Sequence, residues 1–243
     1  MKWTVMLLQI VLLGCSSFVM ASGFPESYYA ITNPKEQREA FGKILRPYVQ
    51  RANVKILSER AFVEDFFKKA SVNFFRNVNE EELTRLVKLK KRYKIENLYD
   101  KNSYLRRIDV IPISLALAQG ATESGWGKSR FVRLANNIFG HWTWGEKGIV
   151  PLEREEGKTH KIRIFDSLTG SVAAYALNLN RHSAYKDFRE RRAKARKKGV
   201  IFGGLEAAET MLYYSEIREK YVEMLKDSML ENNFLYYDNN PVE

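Results

Sequence analysis

The sequence predicts a mainly helical α+β fold, with helices forming the body and a small β-hairpin forming a minor lobe. Apolar residues recur at helical spacing through most of the chain after residue 34. Short runs punctuated by Gly145, Gly148, Pro151 and Gly157 are confined to residues 141–166, where Lys161 to Phe165 alternates charged and apolar side chains as a strand does. A chain of 243 residues with 45% hydrophobic and 13% aromatic content can also bury a sizeable core.

The elements can be justified in order. Lys2 precedes an apolar run from Val5 to Leu13, too short to span a bilayer comfortably but suited to a signal-peptide core, so residues 1–21 read as an export leader. Leu12-Leu13-Gly14-Cys15 resembles a bacterial lipobox, which would make Cys15 a lipidated first residue and a membrane anchor; Val19-Met20-Ala21 offers an ordinary cleavage site instead. Cys15 is the chain's one cysteine, so no internal disulfide is expected. Residues 22–33 read as a flexible lead. From 34 to 100 the pattern is a helical N-terminal region: Phe62, Val63, Phe66, Phe67, Ala70 and Phe74 share one face, and Asn79 with Glu82 marks a capped helix start. Residues 101–235 form a second unit, whose later helices carry Val172, Ala173, Tyr175, Ala176 and Leu179, then Ala208, Met211, Leu212, Tyr221, Leu225 and Met229.

The stretch from 112 to 140 carries the chemistry. Pro112 suits the first position of a helix, and Ala116, Ala118, Gly120 and Ala121 let another element approach closely. Gly125 and Gly127 end that helix, leaving Glu123 in its last turn. There the negative end of the helix dipole and desolvation by neighbouring Trp126 would both raise the Glu123 pKa, as a general acid requires.

Glu123-Ser124-Gly125-Trp126-Gly127-Lys128-Ser129, followed by Asn136-Asn137-Ile138-Phe139-Gly140, resembles the signature of the glucosaminidase family of bacterial autolysins and flagellar wall hydrolases. Residues 148–185 and Tyr213-Tyr214-Ser215-Glu216-Ile217-Arg218-Glu219-Lys220-Tyr221 are similar to its Bax-like branch, so the resemblance covers about residues 105–230. Two departures stand out. Arg218 occupies a position where the family's Tyr-Ser motif carries glycine, and Trp142-Thr143-Trp144 stands where some relatives carry cysteines.

The resemblance implies a lysozyme-like catalytic domain over 101–235 and an endo-β-N-acetylglucosaminidase that cuts the β-1,4 bond after N-acetylglucosamine in peptidoglycan. Glu123 would be the acid. Tyr214 matches the Tyr of the Tyr-Ser motif and Tyr221 the next Tyr, both expected along the cleft. A second carboxylate is expected in the hairpin, from Glu146 or Glu153 with Glu155 and Glu156 nearby, unless the substrate's N-acetyl group does that work. Trp126, Trp142, Trp144 and Phe139 supply flat faces for sugar rings, with Ser124 and Asn137 as polar contacts. A lytic transglycosylase or muramidase of the same fold, and a non-catalytic glycan-binding envelope lipoprotein, are the alternatives.

The net charge of +11 calls for an anionic partner, and peptidoglycan strands in the periplasm fit it; no nucleic-acid-binding motif is present. Residues 186–198, with Arg189, Arg191, Arg192, Arg196 and Lys197, read as a solvated helix face or as a landing strip for anionic polymers or lipid. His141, His160 and His182 lack the spacing of a metal cage, so neither metal nor cofactor is expected.

Overall fold

A computed structural model describes residues 23–72, 74–76, 78–151 and 157–239. It is mainly helical. Among the described residues ten α-helices run in the order α1 Glu26–Tyr29, α2 Pro34–Val72, α3 Glu80–Tyr93, α4 Lys101–Arg107, α5 Ile113–Ser124, α6 Arg130–Ala135, α7 Leu168–Arg181, α8 Lys186–Lys197, α9 Gly204–Glu209 and α10 Arg218–Glu231. Two 3₁₀ segments, η1 Ser183–Tyr185 and η2 Phe234–Asn239, follow α7 and α10, and two short strands, β1 Trp142–Thr143 and β2 Lys161–Ile162, pair antiparallel.

The 39-residue α2 is the longest element. Phe41, Leu45, Val49, Ile56, Val63, Phe66 and Phe67 recur at helical spacing along it and are buried, so one stripe faces the core. Phe74, expected on that stripe, is 84% exposed because α2 ends at Val72 and Phe74 takes φ 51°. The start of α3 is as expected, with Asn79 Oδ1 accepting from Glu82 N at 3.0 Å. Residues on either side of position 100 share one continuous hydrophobic core. Asn53 of α2 clasps Ile111 through two 2.9 Å bonds, and Leu45 lies against Gly120, where an added Cβ would sit 2.8 Å from Leu45 Cδ2. The N-terminal helices therefore support α5 directly.

Nearly every side chain from Ile113 to Ala121 of α5 is buried. Pro112 takes the N-cap position, one residue before the place expected for it, and offers no side-chain bond. Asp238 of η2 supplies the cap from the far end of the chain: it accepts from Ser114 N at 2.9 Å, Ser114 Oγ at 2.6 Å and Gly204 N at 2.8 Å. The other end of α5 stops on three successive left-handed residues, Gly125, Trp126 and Gly127.

Two segments differ from expectation. The lead is docked rather than loose from Gly23 onward: Phe24 and Tyr28 are buried, and the Tyr28 and Tyr29 hydroxyls donate to the carbonyls of Trp126 and Gly127. The cause is aromatic content, since Phe24, Tyr28 and Tyr29 have more apolar surface to hide than a linker does. The basic run on α8 is only partly a solvated face. Arg189 and Arg192 are each 3% exposed. Arg192 donates to Asp109 O, Val110 O and Asn180 Oδ1, while Arg196 grips the buried Asp109 carboxylate through two nitrogens. Burial alone would push the Asp109 carboxyl up; Arg192, Arg196 and Arg60 together hold it below the usual carboxylate range. Much of the charge that reads as a landing strip thus stitches α8 to α4, to α7 and to the segment before α5.

The hairpin is shorter than the alternation suggests. Trp142 pairs with Ile162 and Thr143 with Lys161, and Ile149 bridges to Ile162. Beyond Ile162 the backbone finds other partners: Arg163 N donates to His141 O, Phe165 N to Ala135 O, and the Asn137 and Asn136 side chains donate to the carbonyls of Arg163 and Phe165.

Candidate active site

Glu123 reaches its position because the last turn of α5 stops abruptly. Ser124, fully buried, spends its hydroxyl there, donating to Gly120 O and accepting from Gly127 N at 2.7 Å. It therefore shapes the turn and has no free polar atom for a sugar. Gly127 sits at φ 75° with the Phe24 ring 2.5 Å from where a Cβ would be, so the position demands glycine twice over. Trp126 has φ 57° and packs on Phe41 and Phe234, with the Arg38 guanidinium over its ring. It braces the turn.

The apolar surroundings of Glu123 come instead from tyrosines. Tyr221 of α10 donates its hydroxyl to Glu123 Oε1 at 2.8 Å. That hydroxyl accepts from Gln119 Nε2 at 3.1 Å, and Gln119 Oε1 accepts from Tyr175 at 2.7 Å, so a buried relay runs from α7 through α5 to the acid. Tyr214 stacks on Tyr221 with ring centres 5.4 Å apart, and Tyr185 lies against Tyr214 at 6.2 Å. Phe139 stacks on Tyr175 at 3.9 Å, forming part of the buried wall. Gly140, the last residue of the Asn-Asn-Ile-Phe-Gly motif, has φ 64°, and its missing Cβ would lie 3.8 Å from Glu123 Oε2. Both carboxylate oxygens are thereby framed.

Glu123 is half-buried. Burial raises its pKa above the ordinary carboxylate value, and the Tyr221 hydroxyl opposes that rise without cancelling it. Burial and the nearby Glu123 charge together push Tyr185 up to about 12, and they raise Tyr175, Tyr214 and Tyr221 as well. All four tyrosines are neutral donors at physiological pH. Burial and the Tyr221 hydroxyl set the ionisation of Glu123 in opposite senses.

The hairpin residues stand further out. Trp142 and Trp144 are 56% and 72% exposed, and Trp142 stacks on His160 with centres 4.3 Å apart. Asn137 is buried and fully engaged: its Nδ2 donates to His141 O and Arg163 O while its Oδ1 accepts from His141 N. Glu146 is exposed, and its backbone carbonyl accepts from Lys161 Nζ at 2.8 Å. Glu153, with Glu155 and Glu156, and Cys15 lie outside the described residues. Burial lowers the His141 pKa to about 4, so its ring is neutral. No group of three or more His, Cys, Asp or Glu side chains is placed to hold a metal ion among the described residues.

The motif around Glu123 and the pair Tyr214 and Tyr221 were legible in sequence. Tyr175, Tyr185 and the role of Gln119 were not. Tyr175 sits within an apolar helical stripe, where an aromatic reads as core, and no local spacing links Gln119 to a residue on α10. Arg218, standing where a glycine is expected, takes φ 41°, in the left-handed region that favours glycine.

Comparison with known proteins agrees with this picture. The family model described as mannosyl-glycoprotein endo-beta-N-acetylglucosaminidase matches residues 98–234. Protein bax of Escherichia coli (strain K12) is 33% identical over 166 residues, which is 66% of this chain and 57% of that protein. The chain thus spans little more than half the length of this relative. No solved structure matches.

Proposed function

Because the chain belongs to the glucosaminidase family, we propose that it is a peptidoglycan hydrolase that cuts the β-1,4 bond after N-acetylglucosamine, with Glu123 as proton donor. The observation that carries this reading is a half-buried carboxyl with a raised pKa, held by Tyr221 and walled by Tyr175, Tyr185 and Tyr214. Such a carboxyl keeps its proton at higher pH than an exposed one and can deliver it to a glycosidic oxygen as the bond breaks. The Glu123 carboxylate left behind is stabilised by the Tyr221 hydroxyl, which favours the charged form. Tyr214 lies beside the leaving sugar, and Trp142 and Trp144 offer flat faces on which flanking sugars stack. The mature chain acts in the cell envelope, held to the membrane through Cys15.

Attack on the anomeric carbon needs a second group. Glu146 and Glu153 are the candidates from the hairpin, and the substrate's acetamido oxygen is the alternative. The second reading is a lytic transglycosylase or muramidase, which also works with one Glu but cuts on the muramic acid side. Mass analysis of borohydride-reduced digests of purified peptidoglycan separates them. Fragments ending in reduced N-acetylglucosamine support the proposal. Fragments ending in muramic acid or its anhydro form support the second reading, and binding without release of fragments would make the protein a glycan-binding envelope component.

A further inference from the structure

η1 touches two environments. Tyr185, its last residue, belongs to the tyrosine group around Glu123, whereas Ser183, together with Lys186 just beyond, lines a separate cavity of about 190 Å³. Ser103, Arg106, Arg107, Arg189 and Glu190 complete its wall. Four cationic residues therefore line the cavity beside one carboxylate, and Glu190 pairs with Lys186 at 3.9 Å and offsets Arg189 in part.

The guanidinium groups are held in place by neutral partners. Arg189 donates to Leu179 O at 2.9 Å and His182 O at 2.7 Å, and Arg107 donates to Arg181 O at 2.6 Å. Carbonyls fix orientation but do not neutralise charge. Glu96 offsets Arg107 in part, yet burial and the neighbouring Arg106 still hold Arg107 below the usual arginine range. Burial, with Arg107 and Arg106 adding to it and Glu190 offsetting it in part, brings Arg189 down to about 10. Ser103 Oγ donates to the Asp100 carboxylate, which also attracts Arg106, and the 12-residue α8 begins at Lys186 with its positive end at the cavity. Preorganised donors, excess positive charge and a volume suited to one small oxyanion occur together.

We propose that this cavity is an oxyanion subsite that takes a carboxylate of a peptide stem carried by the glycan strand bound at Glu123. It rests on the reading of the protein as a peptidoglycan hydrolase, because the continuity of η1 places the subsite next to the sugar-binding wall. Phosphate on an anionic polymer offers the same chemistry from another source. Arg106 and Lys186 are exposed, so reversing their charge leaves the core intact.

Binding is measured with the full chain carrying Glu123→Gln, alone and with Arg106→Glu or Lys186→Glu added. The probes are stem-bearing glycan fragments, the same fragments stripped of stems by an amidase, and polyglycerol phosphate; thermal unfolding checks the fold. Either charge reversal weakens binding of stem-bearing fragments about tenfold, the loss of about one charge-assisted hydrogen bond, and leaves stripped fragments within about twofold. Equal weakening on both fragments, or weakening on neither, overturns the subsite. Arginine-dependent binding confined to polyglycerol phosphate overturns the stem assignment. The hydrolase reading is scored separately by fragment release from stripped glycan with Glu123 intact, so selective binding without release would refute the hydrolase and retain the subsite.

Discussion

Replacing Tyr221 with Phe isolates the one hydrogen bond that opposes the raised pKa of Glu123. The hydroxyl donates at 2.8 Å to the carboxylate, so it favours the ionised form, and its loss must raise the Glu123 pKa further. A hydrogen bond to a charged group is worth about 1.5–3 kcal/mol, and the lower end applies to a half-buried acid; that is about one pH unit. The assay is kcat/KM for soluble glycan fragments across pH, whose alkaline limb reports the free enzyme's acid. The limb should move up by about one unit. Stability moves as well, because Gln119 Nε2 loses its acceptor, at about 1–2 kcal/mol. A carboxyl whose folded pKa is raised contributes stability that is fully present below its unfolded pKa and is lost as pH rises through the folded value. Tyr221→Phe widens that loss, so the drop in Tm should be larger at pH 8 than at pH 4. An alkaline limb that stays put or moves down, or a Tm drop equal at both pH values, would refute the reasoning.

Three further outcomes follow from the packing. Asp238→Ala removes three hydrogen bonds at the start of α5 and Gly204, and thermal or urea unfolding should show a loss of about 2–3 kcal/mol; a loss below about 0.5 kcal/mol would mean the cap is dispensable. Gly127→Ala forces a Cβ toward the Phe24 ring at φ 75°, which should cost about 2 kcal/mol or more, and pairing it with Phe24→Ala should recover the steric part but leave the backbone part; strict additivity in that double-mutant cycle would contradict the clash. Arg218→Gly relieves about 1–2 kcal/mol of left-handed strain against about 0.5–1 kcal/mol of added chain entropy, so denaturant unfolding should show a gain of up to about 1 kcal/mol.

What was legible in the sequence followed periodicity and local punctuation. The buried α5, its glycine stop, the Asn79 cap and the placement of Glu123 in a final helical turn depend on residues a few positions apart, and each was readable. What escaped depends on partners far away in the chain. Asp238 caps a helix that begins 125 residues earlier, and Pro112 gives no sign that its role at the N-cap is completed from the C-terminal end. Arg192 and Arg196 look solvated in a run of basic residues until Asp109 and the carbonyls before α5 are brought against them. Trp126 is the nearest aromatic to Glu123 in sequence, yet Tyr175, Tyr185, Tyr214 and Tyr221 are the ones that surround it, because a left-handed Trp126 is committed to Phe41 and Phe234. The lead was misread for a different reason: Gly23 and Pro25 suggest a linker, while the aromatics beside them supply the surface that docks it.

The central claim is that one carboxyl, Glu123, supplies the proton. Its most direct test is the rate of fragment release from purified peptidoglycan by the wild type and by Glu123→Gln, with Tm recorded for both. The glutamine can still accept the Tyr221 hydroxyl but cannot donate an acidic proton, so the variant should fold with an equal or higher Tm and lose about 10²–10⁴-fold in rate. A folded Glu123→Gln that releases fragments within about tenfold of wild type would contradict the assignment.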